Sequence, residues 1–143
     1  MPMSHARKAF FSLADHSGVV RNLSSFLNSQ DINIGSDNAD TSGFGTDWAT
    51  ALPGMKNATI KLSGLSGFAA GEPNEVLFNL VGGGVNGTAC PAFVFGPAGS
   101  ASGSVKYSGS GWVMSFNEQD ALADAVKFNS DFTIEGSVVR GTF

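Results

Sequence analysis

The sequence has few of the residue types from which active sites and metal centres are built. It holds one cysteine (Cys90), two histidines (His5 and His16) and 14% charged residues in 143 positions. A single cysteine excludes an intrachain disulfide and a cysteine-based metal cluster. Two isolated histidines do not make a zinc site. We therefore predict a protein without a metal ion or cofactor.

Long apolar runs and an excess of basic charge are also lacking. No stretch approaches the roughly 18 apolar residues of a membrane span. The first 13 residues place Arg7 and Lys8 before any long apolar run, so they do not have the pattern of a signal peptide, and we expect synthesis in the cytoplasm. The net charge of −4 does not predict a basic surface that would bind nucleic acid.

The few motifs that could carry chemistry have ordinary structural explanations. Residues 15–17 read Asp-His-Ser, but members of a hydrolase triad come together from separate segments, whereas three neighbours belong to one turn. Asp37, Asp40 and Asp47 lack the spacing of a calcium-binding loop. Cys90 has no basic neighbour in the sequence to activate its thiol. We predict that the protein is not an enzyme.

What the chain does have is glycine and phenylalanine, at 19 and 12 positions. This composition favours a β-rich protein with many tight turns, and the length favours one domain covering residues 1–143. Six to eight strands and one principal helix are predicted. The expected fold is mainly β, an antiparallel β-sandwich or flattened barrel with one flanking α-helix.

Alternation of apolar and polar residues marks the strands. It is clearest near the C-terminus, where Phe128, Phe132 and Ile134 are even-numbered and the odd positions are polar, which predicts one buried face and one wet face. Gly109 and Gly111 indicate a bulge in the preceding strand. The predicted strands are Lys8–Ala14, Val19–Arg21, Ile32–Gly35, Lys56–Leu65, Ala92–Phe95, Val105–Phe116 and Val126–Val138.

One short amphipathic helix is predicted from Pro73, a residue that suits the first helical position. Val76, Leu77, Leu80 and Val81 follow at helical spacing, and Gly82 marks the stop. A second, shorter helical turn is expected after Asn22, whose side chain can cap it.

The segment 36–55 is predicted to be a long loop that protrudes from the domain, and residues 1–7 to be a flexible arm. Loops of this length are usually functional or disordered, and large aromatics argue against disorder. We predict that the loop docks on another molecule. An alternative is that Phe44 and Trp48 fold back onto the core of their own subunit. The predicted interface residues are Phe44, Gly45, Trp48, Leu52 and Pro53.

Three segments in order resemble the tail tube, or major tail, proteins of long-tailed bacteriophages. They are Arg21–Asp31 (RNLSSFLNSQD), Asp40–Gly45 (DTSGFG) with Leu52–Thr59 (LPGMKNAT), and Phe128–Phe143 (FNSDFTIEGSVVRGTF). The resemblance covers nearly the whole chain. It implies a β-sandwich flanked by a helix, with six subunits in each ring and rings stacked into a hollow tube in the virion.

The resemblance also implies partners. The long loop would contact the neighbouring subunit or ring, other tail proteins would bind the tube ends, and genomic DNA would slide through an acidic bore without specific binding. Two alternatives stay open: a capsid decoration or tail-completion protein, and a monomeric ligand-binding β-sandwich. The last would need a row of exposed aromatics, which Tyr107 and Trp112 do not supply if their strand is regular.

Overall fold

The strands of the protein form one antiparallel sheet in a computed structural model that describes residues 9–41, 43–45, 48–49, 51–87, 89–120, 122 and 125–143. The predicted arm at residues 1–7 lies outside these residues. Within them, the order of the seven strands is β2-β1-β5-β6-β7-β4-β3. The strands are β1 (Phe10–Ala14), β2 (Val20–Asn22), β3 (Leu27–Asp40), β4 (Ala51–Leu65), β5 (Ala92–Gly96), β6 (Val105–Gln119) and β7 (Lys127–Thr142). A 3-10 turn spans Ser24–Phe26, and the helix α1 spans Pro73–Leu80.

The sheet curls so that strands far apart in its order face each other. Phe11 of β1 packs against Phe132 of β7, although β5 and β6 lie between these strands in the sheet. The described strands do not close a barrel, because β2 and β3 end the order as edges. The predicted mainly-β, flattened architecture with a flanking helix is confirmed.

The core lies inside this curl. Ile60 of β4 is directly opposite Phe132 of β7, and both are buried. The alternation predicted for the C-terminal strand is confirmed from Phe128 to Ile134. Helix α1 contributes Val76, Leu77 and Leu80, which are all fully buried.

Two register shifts alter the long strands. At Gly109 the extra residues belong to β7, between Glu135 and Val139, and the bulge of β6 itself lies at Met114, so the prediction of a β6 bulge at Gly109 and Gly111 is wrong. Gly136 has φ +78°, a conformation that favours glycine. Beyond it, the even-odd pattern of β7 no longer holds, and Val138 is half-buried.

The helix begins at Pro73 as predicted but ends one residue early. Val81 has extended backbone angles and is 41% exposed, so the prediction that it belongs to the buried helical face is wrong. Its N–H still bonds the Leu77 carbonyl, and Gly82 follows with φ +72°. The turn after Asn22 also forms, with the Asn22 side chain accepting the Ser24 N–H at 3.0 Å.

The prediction of a loop over 36–55 is wrong at both of its ends. Strand β3 continues to Asp40, and β4 already begins at Ala51. The pairing runs through Ser36–Lys56 and, after a bulge, through Asn38–Pro53. Backbone hydrogen bonds hold this hairpin although neither strand has a buried face there, and apolar alternation identifies half-buried strands. For the same reason, the predicted strand Ile32–Gly35 ends five residues too early; it also begins five residues too late, because β3 starts at Leu27.

Candidate assembly surface

A two-stranded ribbon extends from the sheet. Strand β4 pairs with β7 from Thr59 to Leu65, whereas its first part, up to Asn57, is exposed and pairs with β3 alone among the described strands. We call the described residues within 35–57 the ribbon. An isolated hairpin is marginally stable in water, so this element is suited to packing against another surface.

The apolar side chains of the ribbon are exposed. Phe44 is fully exposed, Trp48 is 84% exposed and Leu52 is 59% exposed. The alternative that Phe44 and Trp48 cap the core of their own subunit is therefore wrong. Gly45 lies in the turn with φ +88°, and Pro53 is exposed opposite Asn38.

Sequence reasoning missed one member of this group. Met55 is 79% exposed, more than Leu52. It directly precedes the alternating run that begins at Lys56. Its position between Gly54 and a lysine was the signal in the sequence that could have indicated its exposure. Large apolar groups in such numbers on one exposed element are typical of an interaction surface.

Besides the outer edge of β2, the sheet has two further strand edges without a strand partner among the described residues. One is the side of β3 away from β4. The other is Trp112–Gln119 of β6, because on the β5 side the strand pairing of the described residues stops at Ser110. Free strand edges are templates for pairing with another chain.

The outer face of β3, β4, β7 and β6 is polar. One row across the sheet reads Asp31, Lys61 and Asp131, and the next reads Asn33, Thr59 and Thr133. The apolar exceptions on these strands are Trp112, which is partly buried, Leu65 near the end of β4, and Met114, which is 62% exposed at the bulge of β6. The other paired residues on this face are short or hydrophilic. Acidic and basic groups nearly balance, with Asp31, Asp131 and Glu135 against Lys61 and Lys127.

The Asp-His-Ser segment is a turn built around a buried carboxylate. Asp15 is 1% exposed and accepts hydrogen bonds from the backbone N–H groups of Ser17 and Val19, both at 2.9 Å. The Arg21 guanidinium donates to its other oxygen at 3.0 Å. Burial raises the pKa of Asp15, but the bonds from Arg21, Ser17 and Val19 outweigh it and lower the pKa from 3.8 to about 2. The Asp15 carboxylate therefore has a structural role in this turn.

The one cysteine is in an environment that suppresses its reactivity. Burial, together with the hydrogen bond and the negative charge of Glu135, raises the pKa of the Cys90 thiol from 9.0 to about 11. The Trp112 indole N–H donates to the same carboxylate at 2.9 Å. A thiol with this pKa is almost entirely protonated at neutral pH and is a poor nucleophile.

The described residues hold no group of three or more His, Cys, Asp or Glu side chains that could bind a metal ion. Asp47, one of the three carboxylates weighed as calcium ligands, lies outside them. A cavity of about 600 Å³ lies between Ala9 and residues 24–30, and its lining of serines, Asn28 and Gln30 carries no ionisable group among the described residues. No described helix has the length and apolar character to cross a membrane.

Comparison with solved structures identifies the fold. A chain from the tail of an empty gene transfer agent (GTA) particle, refined with C6 symmetry, superposes with a TM-score of 0.75 at 13% identity, covering 98% of this chain and 100% of the other. The SPP1 tail tube matches with a TM-score of 0.74 at 9% identity, covering 99% and 80%. A chain of the extended sheath–tube complex of PVC, an extracellular contractile injection system, gives 0.66 at 15% identity, covering 99% and 93%.

No protein-family profile matches the sequence, and no curated protein is significantly similar to it. The structural matches nevertheless span 98–99% of this chain and 80–100% of their own. The chain therefore has the fold of the proteins that build tails and injection tubes. More particularly, it shares that fold with the SPP1 tail tube.

Proposed function

We propose that this chain is the structural subunit of a hollow tail tube, assembled as six-membered rings that stack along one axis. The observation that carries the proposal is the agreement of the whole chain with tail chains, including one refined with C6 symmetry. Those chains are structural components rather than enzymes. Such a subunit acts in the virion after synthesis in the host cytoplasm, with other tail proteins bound at the tube ends.

The strand edges support lateral closure of the ring. The free edge of β3 and the free part of β6 lie at opposite ends of the sheet formed by the four long strands. Pairing the β3 edge of one subunit with the β6 edge of the next is a heterologous contact, and such a contact closes into a ring when the rotation permits. Closure would also remove edges that otherwise promote aggregation.

The ribbon supports contact with a neighbouring subunit or ring. We assign this role to Phe44, Gly45, Trp48, Leu52 and Pro53. Aromatic anchors dominate the energetics of many interfaces, and here both aromatics are exposed in the isolated subunit. Met55 is added to the same surface on the basis of its exposure.

The polar outer face suits the wall of a bore through which genomic DNA passes without specific binding. Duplex DNA carries a dense line of negative charge and is held by clusters of lysine and arginine. On this face, Asp31 and Asp131 flank Lys61 across the strands. A nearly balanced, slightly acidic wall of this kind would let DNA slide.

Electron microscopy of a ribbon deletion tests the proposal. Ser36 and Lys56 are directly opposite in the hairpin, so Asp37–Met55 can be replaced by a two-residue Asn-Gly turn. The removed segment contributes no residue to the core, so we expect a soluble protein with a strand-type circular dichroism spectrum. The parent should form long hollow tubes in negative stain, and the deletion should not.

The outcomes also separate the alternatives. Single rings or capsid-bound particles from the parent would favour a decoration or tail-completion protein, and featureless monomers would favour a ligand-binding module. Tubes formed by the deletion variant would show that the ribbon is not an interface. The double variant Phe44→Ala, Trp48→Ala is the matched control for side-chain effects in an intact ribbon.

A further inference from the structure

A cleft opens at the base of the ribbon, where β4 and β7 separate. Their pairing ends at Thr59 and Thr133, and Gly136 then turns β7 aside. The gap is a cavity of about 260 Å³. It is lined by Ile34, Lys56, Asn57, Ala58, Gly136, Ser137 and Val138.

The lining of this cleft is suited to an aromatic side chain with a polar edge. Ile34 and Val138 are partly exposed, and Ala58 is 6% exposed, so the cleft has an apolar floor. Lys56 and Ser137 supply a cation and a hydroxyl. An apolar cavity of about 150 Å³ holds one benzene ring, so a cleft of 260 Å³ has room for the two fused rings of an indole.

Trp48 has the properties that the cleft requires. It is 84% exposed, and its indole is the best aromatic partner for a cation such as the Lys56 ammonium. Its N–H can donate to Ser137 or Asn57, which Phe44 cannot do. The charges agree as well, because residues 36–52 contain three aspartates and neither lysine nor arginine.

The ribbon cannot place Trp48 in the cleft of its own chain. The seven residue-to-residue steps from Ala58 to Ala51 advance about 23 Å at roughly 3.3 Å per residue. Trp48 lies beyond Ala51, at the far end. If Trp48 occupies this cleft, it must come from a second copy of the chain.

We propose that Trp48 of one copy inserts into the cleft at the base of the ribbon of the next copy. Because the Trp48 side chain and the cleft are different patches of the surface, the contact is heterologous and repeats from copy to copy. This inference rests on the proposed function and deepens it by naming the receiving site. It places Lys56, Ser137 and Val138, which the sequence did not single out, at an inter-subunit contact.

Intrinsic fluorescence and assembly measurements test the contact. The chain has two tryptophans, so Trp112→Phe leaves Trp48 as the sole indole. On assembly, its emission should shift to shorter wavelength and acrylamide quenching should fall several-fold. Emission that stays at the solvent-exposed position in assembled tubes would overturn the inference while leaving the proposed function intact.

A double-mutant cycle locates the contact in the cleft. Trp48→Ala removes the inserted indole, and Ser137→Phe fills the cleft that receives it. Each substitution should raise the critical concentration for assembly at least tenfold. The double variant should be no worse than either single variant, because both remove one interaction. Phe78→Ala, which alters an aromatic of helix α1 with 69% exposure, is the control and should leave assembly unchanged.

Circular dichroism must show that each variant is folded, and Ser137 and Trp48 are both exposed, so the core does not depend on them. Additive effects of Trp48→Ala and Ser137→Phe would overturn the assignment to this cleft. If the parent formed no assembly at any concentration, the proposed function would fall together with the inference.

Discussion

The ring of Phe132 stands edge-on to the ring of Phe11, with centroids 5.9 Å apart and planes at 87°. This contact joins β7 to β1 across the inside of the curled sheet, and both side chains are buried. Phe132→Ala should lower the free energy of unfolding by about 3–5 kcal/mol, because it removes a large core side chain and leaves a cavity. Urea denaturation followed by circular dichroism measures the loss.

Phe78→Ala is the matched control for this prediction, since Phe78 is 69% exposed on helix α1. Its effect should be within about 0.5 kcal/mol, as for surface substitutions elsewhere. A loss below about 1 kcal/mol for Phe132→Ala would contradict the register of β7 against β4.

Asp15 should make stability depend on pH at the acidic end. Its pKa is lowered to about 2 in the folded state, so the unfolded state binds the proton first as the pH falls. The stabilisation is present above about pH 4 and is lost as the pH falls towards 2, for a total of about 2 kcal/mol. Thermal unfolding from pH 6 to pH 2 should show a steeper decline for the parent than for Asp15→Asn.

The control for that series is Asp31→Asn, which removes an exposed carboxylate from the outer sheet face. It should keep the parent's pH profile between 2 and 4. Equal slopes for the parent and Asp15→Asn in this window would show that Arg21, Ser17 and Val19 do not stabilise the Asp15 carboxylate.

Cys90 should react slowly with thiol reagents in the native protein. Raising the pKa from 9.0 to about 11 lowers the thiolate fraction at pH 8 about a hundredfold. The rate of labelling with iodoacetamide, followed by mass spectrometry, should be lower in buffer than in about 8 M urea, which unfolds the protein, by about this factor. Glu135→Gln should recover part of the rate, because it removes the neighbouring charge, and an unchanged rate would contradict the role of Glu135.

If the outer sheet face lines the bore, as we propose, added positive charge on it should make the tube bind DNA. Asn129→Lys with Thr133→Lys adds two lysines on the exposed face of β7. Tubes of this variant should retain short duplex DNA on sedimentation and release it as salt is raised. Asn79→Lys with Ser100→Lys adds the same charge at exposed positions outside this face, and equal retention by both variants would contradict the bore assignment.

Much of the fold could be predicted because its signals are local. The alternation from Phe128 to Ile134 and Pro73 at the start of α1 each act through nearest neighbours in the chain. The ribbon could not be predicted as paired strand, because Ser36–Asp40 and Ala51–Met55 have no buried face to impose alternation. Val81 was misassigned since helical spacing alone does not show where the last turn ends.

The candidate site was predictable in part for the same reason. The aromatics Phe44 and Trp48 could be recognised in the sequence as unusual in a polar segment. Their exposure could not, because a side chain in a long segment can reach its own core or another molecule. The cleft that we assign to Trp48 is lined by Ile34 of β3 and Val138 of β7. These residues are far apart in the chain and come together because both strands pair with β4.

The sequence by itself determined the class of fold and the alternation of buried and exposed positions in the C-terminal strand. It did so because burial imposes a period of two on strands. The tertiary structure alone decided which strand edges stay open, that the ribbon extends past the sheet, and which polar residues share the outer face. Those features depend on strand order and register, which are set by contacts between segments far apart in the chain.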